Sequence, residues 1–475
     1  MDSRRSKVIL LLFLAAFFLA LLTQGRGVIR NDLSRNIYIP AELTMPLQVK
    51  AAHNGKDIFF RYRWPAENAH VYHDMLRYHD GEWIRHGASQ AGPNYDHTYE
   101  DRVAMLVDDG GVPEFARYGG YITVGSGVRF FTSAADKAEV KAHPHLGARL
   151  KVEEVQKHLP GTRHDISNWR TVVGQETLEA QRRAGYFLDL WHWRAGRSNP
   201  VNVADDQWVG EDRHGDAGKG PFSTNWDSRL KQPRYMFDPV RAGRSSLRWE
   251  DVKANRFDFE DIYYLSEDMA IPFDPNRPWK NGDVIPRRLL RPGDGSRGDI
   301  TVHGKARWKE GYWDVTLKRA LDTGNPDDKA FREQGVYHVG FAVHRDATGS
   351  RWHYVSHPFS LGMGRPADID VATFEGNSPP WQQPWTEITL FYPGQVNWPL
   401  LMSRAHAGAG QIAEGVPVRH RHNELQLAIY GVEMEFNAEI TTRWIWTMVA
   451  GLIVMLGMWI GLAGGLSGRK EGGTP

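Results

Sequence analysis

Residues 47–64 read Leu-Gln-Val-Lys-Ala-Ala-His-Asn-Gly-Lys-Asp-Ile-Phe-Phe-Arg-Tyr-Arg-Trp. Leu47, Val49 and Ala51 alternate with other residues before Asn54-Gly55, and Ile58, Phe60, Tyr62 and Trp64 alternate after it. Asn-Gly supplies the positive φ angles of a tight hairpin turn, and a period of two puts one face of each flanking strand into a core. The stretch therefore predicts a β-hairpin. Working outward, the same period recurs at Trp313, Val315 and Leu317, at Tyr337, Val339, Phe341 and Val343, and at Leu425, Leu427 and Ile429 followed by Val432, Met434 and Phe436. Such runs bury one face each, so the expected fold is all-β, a sandwich of two packed sheets. Helical signal is sparse and is best at residues 152–158 and 177–187. Residues 196–298 are crowded with Gly, Pro, Asp and Arg and lack a period, so a long irregular insert is expected there.

Two stretches are too apolar for a soluble core. Residues 8–22 carry no charge and follow Arg4, Arg5 and Lys7. Their end, Leu22-Thr23-Gln24-Gly25-Arg26, lacks the alternating small residues of a cleavage site, which favours an anchor over a signal peptide. Residues 444–466 are also uncharged, open with Trp444 and Trp446 and are followed by Arg469 and Lys470. That is the pattern of a membrane span with an interfacial aromatic belt. The expected order is an anchor or signal segment at 1–27, an extracytoplasmic domain at 28–440, a transmembrane helix at 441–467 and a cytoplasmic tail at 468–475. Both positive flanks face the chain ends, which predicts cytoplasmic termini and an inner-membrane protein with its main domain periplasmic.

The chain of 475 residues has no cysteine. Covalent c-type haem, iron–sulfur clusters and thiolate zinc are therefore excluded, and any metal must be held by His, Met, carboxylate or Lys. A net charge of +1 argues against a nucleic-acid partner. No nucleophile and base stand at a recognisable catalytic spacing, which points away from an active site of its own.

Four segments carry residues suited to a metal or a flat cofactor. Residues 100–107 run from Glu100-Asp101-Arg102 into an apolar strand bearing Met105, which is a core methionine on the plainest reading. Residues 189–197 read Asp-Leu-Trp-His-Trp-Arg-Ala-Gly-Arg, placing His192 between Trp191 and Trp193 with Arg194 and Arg197 close by. That composition suits an apolar ring with anionic side groups, or a structural histidine among aromatics. His338 and His344 lie opposite Val339 and Phe341 on their strand, a polar face. In Gly349-Ser350-Arg351-Trp352-His353-Tyr354-Val355, His353 shares its face with Arg351 and Val355.

These segments, in this order, together with Ala204-Asp205-Asp206 and the opening hairpin, resemble the haem-binding domain family of the ethylbenzene dehydrogenase γ subunit. The resemblance covers most of residues 45–365, and Asp189 to Ala195 is its most specific part. It implies a sandwich related to carbohydrate-binding modules that holds one non-covalent b-type haem and passes electrons between a redox enzyme, or a membrane electron-transfer complex, and respiratory carriers. It also implies Met105 as one axial iron ligand and a second from the late hairpin, where some members use Lys. Arginine stays protonated, so Arg351 cannot ligate. His353 is the candidate, with His192 as its rival, and Arg194, Arg197 and Arg351 are candidates for the haem propionates. Some members carry a Cys-x-x-Cys-His attachment after the Met105 strand, whereas residues 118–131 here have no cysteine. A haem-free module that stacks its tryptophans on sugars is the alternative.

Overall fold

The computed structural model describes residues 44–87, 98–121, 135–165, 168–345 and 353–391, with helical positions at 444–449, 451–452, 455 and 458. The elements that build the main unit are β1 (Thr44–His53), β2 (Asp57–Pro65), β3 (Arg102–Asp108), α1 (Gln175–Arg183), β4 (Leu188–Arg194), β5 (Asp205–Val209), β6 (Tyr312–Ala320), β7 (Val336–His344), β8 (Tyr354–Val355), β9 (Phe359–Met363), β10 (Ile369–Thr373) and β11 (Thr386–Phe391).

The β1–β2 turn forms as expected: Gly55 takes φ 83°, and the Asn54 side chain accepts from the backbone N–H groups of Lys56 and Asp57 at 3.1 and 2.8 Å. From there one sheet runs β6–β2–β1–β10–β9–β7–β3–β4–β5, with β11 joining β1 to β8 and β8 pairing β7. Its two arms face each other. Phe60 of β2 meets Trp191 of β4 at 5.4 Å between ring centroids, Tyr62 meets Phe341 at 6.1 Å, and Trp64 meets Trp193 at 6.0 Å. Each such buried ring contributes about 1.5–3 kcal/mol relative to exposure, and edge-on aromatic pairs add to that. The structure is mostly β with few helices, which fits the expected sandwich.

The insert is more ordered than its composition suggests. Short strands at Asp283–Pro286 and Leu247–Arg248 extend the hairpin Met75–His79 and Glu82–His86, and Leu265–Ser266, Arg288–Leu290 and Phe222–Thr224 form a second small sheet. Met236, Phe237, Tyr263 and Ile285 join the main core. Strands this short carry no readable period. The helix expected at 152–158 is absent: Lys151 turns the chain with φ 61° and Pro160 follows, while α1 ends at Arg183, before Gly185 at φ 82°. The strands expected at 425–436 and the apolar run at 8–22 lie outside the described residues.

In the unit formed by the chain ends, the described residues are helical within 444–458. Among the described residues no helix is long and apolar enough to cross a membrane.

Candidate functional site

The register of β7, β3 and β4 decides which side chains meet. Met105 pairs with Phe341 on one side and Trp191 on the other, while Ala104 pairs with Ala342 and His192, and Arg102 with His344 and Arg194. Directly paired residues share a face, and neighbours along a strand take opposite faces. Met105, Trp191, Trp193 and Phe341 thus point into the sandwich core, and His192, His344, Arg102 and Arg194 point away from it.

The structure therefore does not bring Met105 and His353 together. Met105 is 1% exposed, and its Sδ accepts a hydrogen bond from the Tyr62 hydroxyl at 3.3 Å. His353 instead stacks on His344, ring centroids 4.8 Å apart, and His344 lies 6.2 Å from His192 in a near-parallel arrangement. A sheet separates this histidine row from Met105, so the two do not flank one planar ring. The tryptophans beside His192 belong to the core as well. Trp191 lies under the Arg319 guanidinium at 4.7 Å, and Trp193 donates to Asn199 Oδ1 at 3.3 Å. Arg351 lies outside the described residues.

His192 is buried, and Nη2 of Arg194 stands 2.9 Å from its Nδ1. A guanidinium can only donate, so Nδ1 accepts and Nε2 carries the ring proton. Burial first, then the charges of Arg194 and Arg213, holds this imidazole well below its ordinary pKa, so the ring is neutral. A protonated nitrogen has no lone pair for iron. His192 is thus a hydrogen-bond donor, and its Nε2 finds no partner among the described residues.

The same face concentrates positive charge. Glu100 is shared by Arg102 and Arg197, both at 2.8 Å. Asp205 is shared by Arg194 at 2.9 Å and Arg297 at 2.8 Å, and Asp74 by Arg288 at 2.6 Å and Arg287 at 3.5 Å. Three buried carboxylates each serve two guanidinium groups. Phe222 sits among one arginine of each pair, with Arg194, Arg197 and Arg288 at 5.4, 5.0 and 5.4 Å from its ring centre. Burial pushes Arg102 down to about 10 and Arg194 down to about 9, so both keep their charge at neutral pH. Arg102 Nη2 and Arg194 Nε, like His192 Nε2, are buried without an acceptor among the described residues. An excess of cations with orphaned donors is a demand for an anion.

Sequence reasoning selected His192, Arg194 and Arg197 but passed over Arg102, Glu100, Asp205 and the stacking role of His344. The parity of Arg102, Ala104 and Leu106 against Val103, Met105 and Val107 was the signal available for Arg102.

Comparison with known proteins agrees with the haem-domain resemblance. A stretch of 75 residues is 31% identical to cytochrome c-552 of Stutzerimonas stutzeri, covering 16% of this chain and 25% of that protein. The match thus spans a quarter of that relative's length. The family described as ethylbenzene dehydrogenase matches residues 22–356, well over half of the chain and including both the hairpin and the histidine face. The chain belongs to the ethylbenzene dehydrogenase family.

Proposed function

We propose that the protein is a membrane-anchored cytochrome subunit that carries one non-covalent b-type haem and moves electrons between a redox enzyme, or membrane complex, and respiratory carriers. The main domain lies outside the cytoplasm, held by the apolar segments at 8–22 and 444–466. Family membership supports the haem class, and the cytochrome relative is consistent with it. The observation that carries the reading is the face with orphaned buried donors at Arg102, Arg194 and His192, because a haem brings two carboxylates that such donors satisfy.

The residues divide the work on this basis. Arg102, Arg194 and His192 hold the propionates, and Glu100 and Asp205 keep the guanidinium groups in place. Ala104 and Ala342, small and paired in register, leave the face level. His353 offers an imidazole to the iron, with His344 stacked behind it. Met105 does not fit the iron from this side of the sheet and serves the core. A bound haem supplies one-electron exchange at iron, while the protein sets its binding and potential.

Absorption of the full chain purified in mild detergent tests the proposal. A Soret band that shifts on reduction with dithionite is expected. Protein that stays colourless after haemin addition overturns it. In that case the sugar-binding reading takes over, for which the open cleft of about 670 Å³ lined by Trp381, Trp385 and Tyr312 is the place to look. Arg63 lies over the Tyr312 ring and Lys50 and Arg61 over the Trp385 ring, so those faces are already covered.

A further inference from the structure

Next to the arginine-rich face, the ends of β4 and β5 gather more buried carboxylates than the nearby arginines pair with. Asp189 of β4, Asp206 of β5, Asp216 after the short strand Arg213–Gly215 that pairs with β5, and Asp327 and Asp328 in the β6–β7 connection all have buried side chains. Carboxylate oxygens of Asp189, Asp206 and Asp328 lie within 4.8 Å of one another, and so do those of Asp216, Asp327 and Asp328. Arg319 serves one side of the group, donating to Asp189 at 2.7 Å and to Asp206 and Asp328 at 2.9 Å. On the other side Arg297 acts on Asp216 only through its charge, its hydrogen bonds going to Asp205. Asp216 is 4% exposed and neither of its oxygens has a hydrogen-bond partner among the described residues; Asp189 Oδ1 lacks one too.

An isolated buried carboxylate costs far more than one lost hydrogen bond, so the cluster must bind protons or a cation. Its construction favours a cation. Asp327 is pinned from behind, Oδ1 accepting from the Ser296 hydroxyl at 2.8 Å and Oδ2 from the Ala217 N–H at 2.9 Å. Asp328 accepts from Asn325 Nδ2 at 3.2 Å and from the Thr323 hydroxyl. Oxygens held in fixed directions around a common point make a coordination shell, whereas a proton-sharing pair needs only two. The donors are all oxygen, without imidazole or thiolate, which selects a hard ion. Calcium takes six to eight oxygens at roughly 2.3–2.6 Å, so any two of its ligands lie at most about 5 Å apart, which the 4.8 Å limit within each group meets.

We propose that a divalent cation of the calcium class binds between Asp216, Asp327 and Asp328, with Asp189 and Asp206 at its edge. The ion ties the chain after β5 to the β6–β7 connection. It thereby steadies the strands that carry His192, Arg194 and Asp205. The site is independent of the haem reading, since its residues lie on other elements or on the opposite faces of β4 and β5.

The test uses the full chain stripped with a chelator and titrated with calcium chloride, read by calorimetry and by thermal unfolding. Binding of calcium with an unfolding temperature that climbs with calcium concentration is expected, magnesium acting more weakly. Asp216→Asn should weaken calcium binding at least about tenfold. An unfolding temperature indifferent to calcium and chelator, with Asp216→Asn more stable than the parent, overturns the proposal and assigns shared protons instead.

Discussion

Nη2 of Arg194 lies 2.9 Å from Nδ1 of His192, and that contact decides which nitrogen of the imidazole carries the proton. The ring is left with a single outward function, an N–H at Nε2. A histidine flanked by two tryptophans looks like a ligand in sequence, yet here its own strand supplies the arginine that makes it a donor.

The first prediction separates donor from ligand. His192→Ala should leave the spectrum of bound haem unchanged while weakening haem retention, because a propionate partner is lost and the iron is not touched. His353→Ala should lose haem or alter its spectrum. Visible spectra of the two variants at equal haem load decide. An altered spectrum in His192→Ala beside an unaltered His353→Ala would reverse the two roles.

Met105 gives the second prediction. Its sulfur sits in the core under the Tyr62 hydroxyl, so Met105→Leu conserves the volume but removes that hydroxyl's acceptor and should cost about 1–3 kcal/mol, and Met105→Ala about 2–5 kcal/mol. Neither should change the haem spectrum, and Met105→Leu should leave the midpoint potential where it was. Denaturant unfolding and a redox titration measure the two effects separately. A fall in potential in Met105→Leu would make Met105 an iron ligand and the register argument irrelevant.

How far the sequence could be read follows from these residues. The β1–β2 hairpin was legible because Asn54-Gly55 announces the turn and the alternation on each side names the buried face. The strands β6 and β7 were legible for the same reason. Met105 was assigned by likeness of segment order, which transfers a strand but not which of its faces binds, although the alternation of Val103, Met105 and Val107 already grouped it with apolar neighbours. The small sheets of the insert were hidden because strands of two to four residues complete too few periods to show one. The arginine pairs on Glu100, Asp74 and Asp205 were hidden for a different reason: Glu100 and Arg197 are 97 positions apart, and only the fold brings them to 2.8 Å.

The third prediction concerns those pairs. Glu100→Gln keeps the shape of the side chain but leaves Arg102 and Arg197 without their shared carboxylate in a buried place. Breaking one partner of a buried ion pair costs about 3–5 kcal/mol, since the remaining charge is uncompensated. The denaturant midpoint should fall accordingly. Added haemin should recover part of the loss if the freed guanidinium groups take its propionates, and a variant as stable as the parent would mean that Glu100 contributes little.

Topology supplies the fourth. The Lys and Arg flanks of the apolar runs at 8–22 and 444–466 predict that both chain ends lie in the cytoplasm. Reporter fusions at Arg30 and at Glu439 should both report the extracytoplasmic side. Opposite reports from the two positions would remove one of the spans.

The last prediction is a pH dependence set by His73. This side chain is 7% exposed, and burial together with the Arg197 charge pushes its pKa down to about 4, even with Asp74 at 3.1 Å. An unfolded histidine titrates near 6.5. Between those values the unfolded chain binds a proton that the folded chain refuses, so stability falls as pH drops through this window and is untouched by this group above it. At about 1.4 kcal/mol for each pH unit, the loss from His73 reaches roughly 3 kcal/mol by pH 4 and levels off below. Burial also holds His357 at about 4, which adds a slope of the same sign, so the parent alone does not isolate His73. The difference in unfolding free energy between the parent and His73→Gln, followed from pH 7.5 to 4, does. That difference should shrink by up to about 3 kcal/mol on acidification, because only the parent then pays to keep His73 neutral. A difference that stays constant across the window would mean that His73 takes up its proton in the folded state, with Asp74 as its counter-ion.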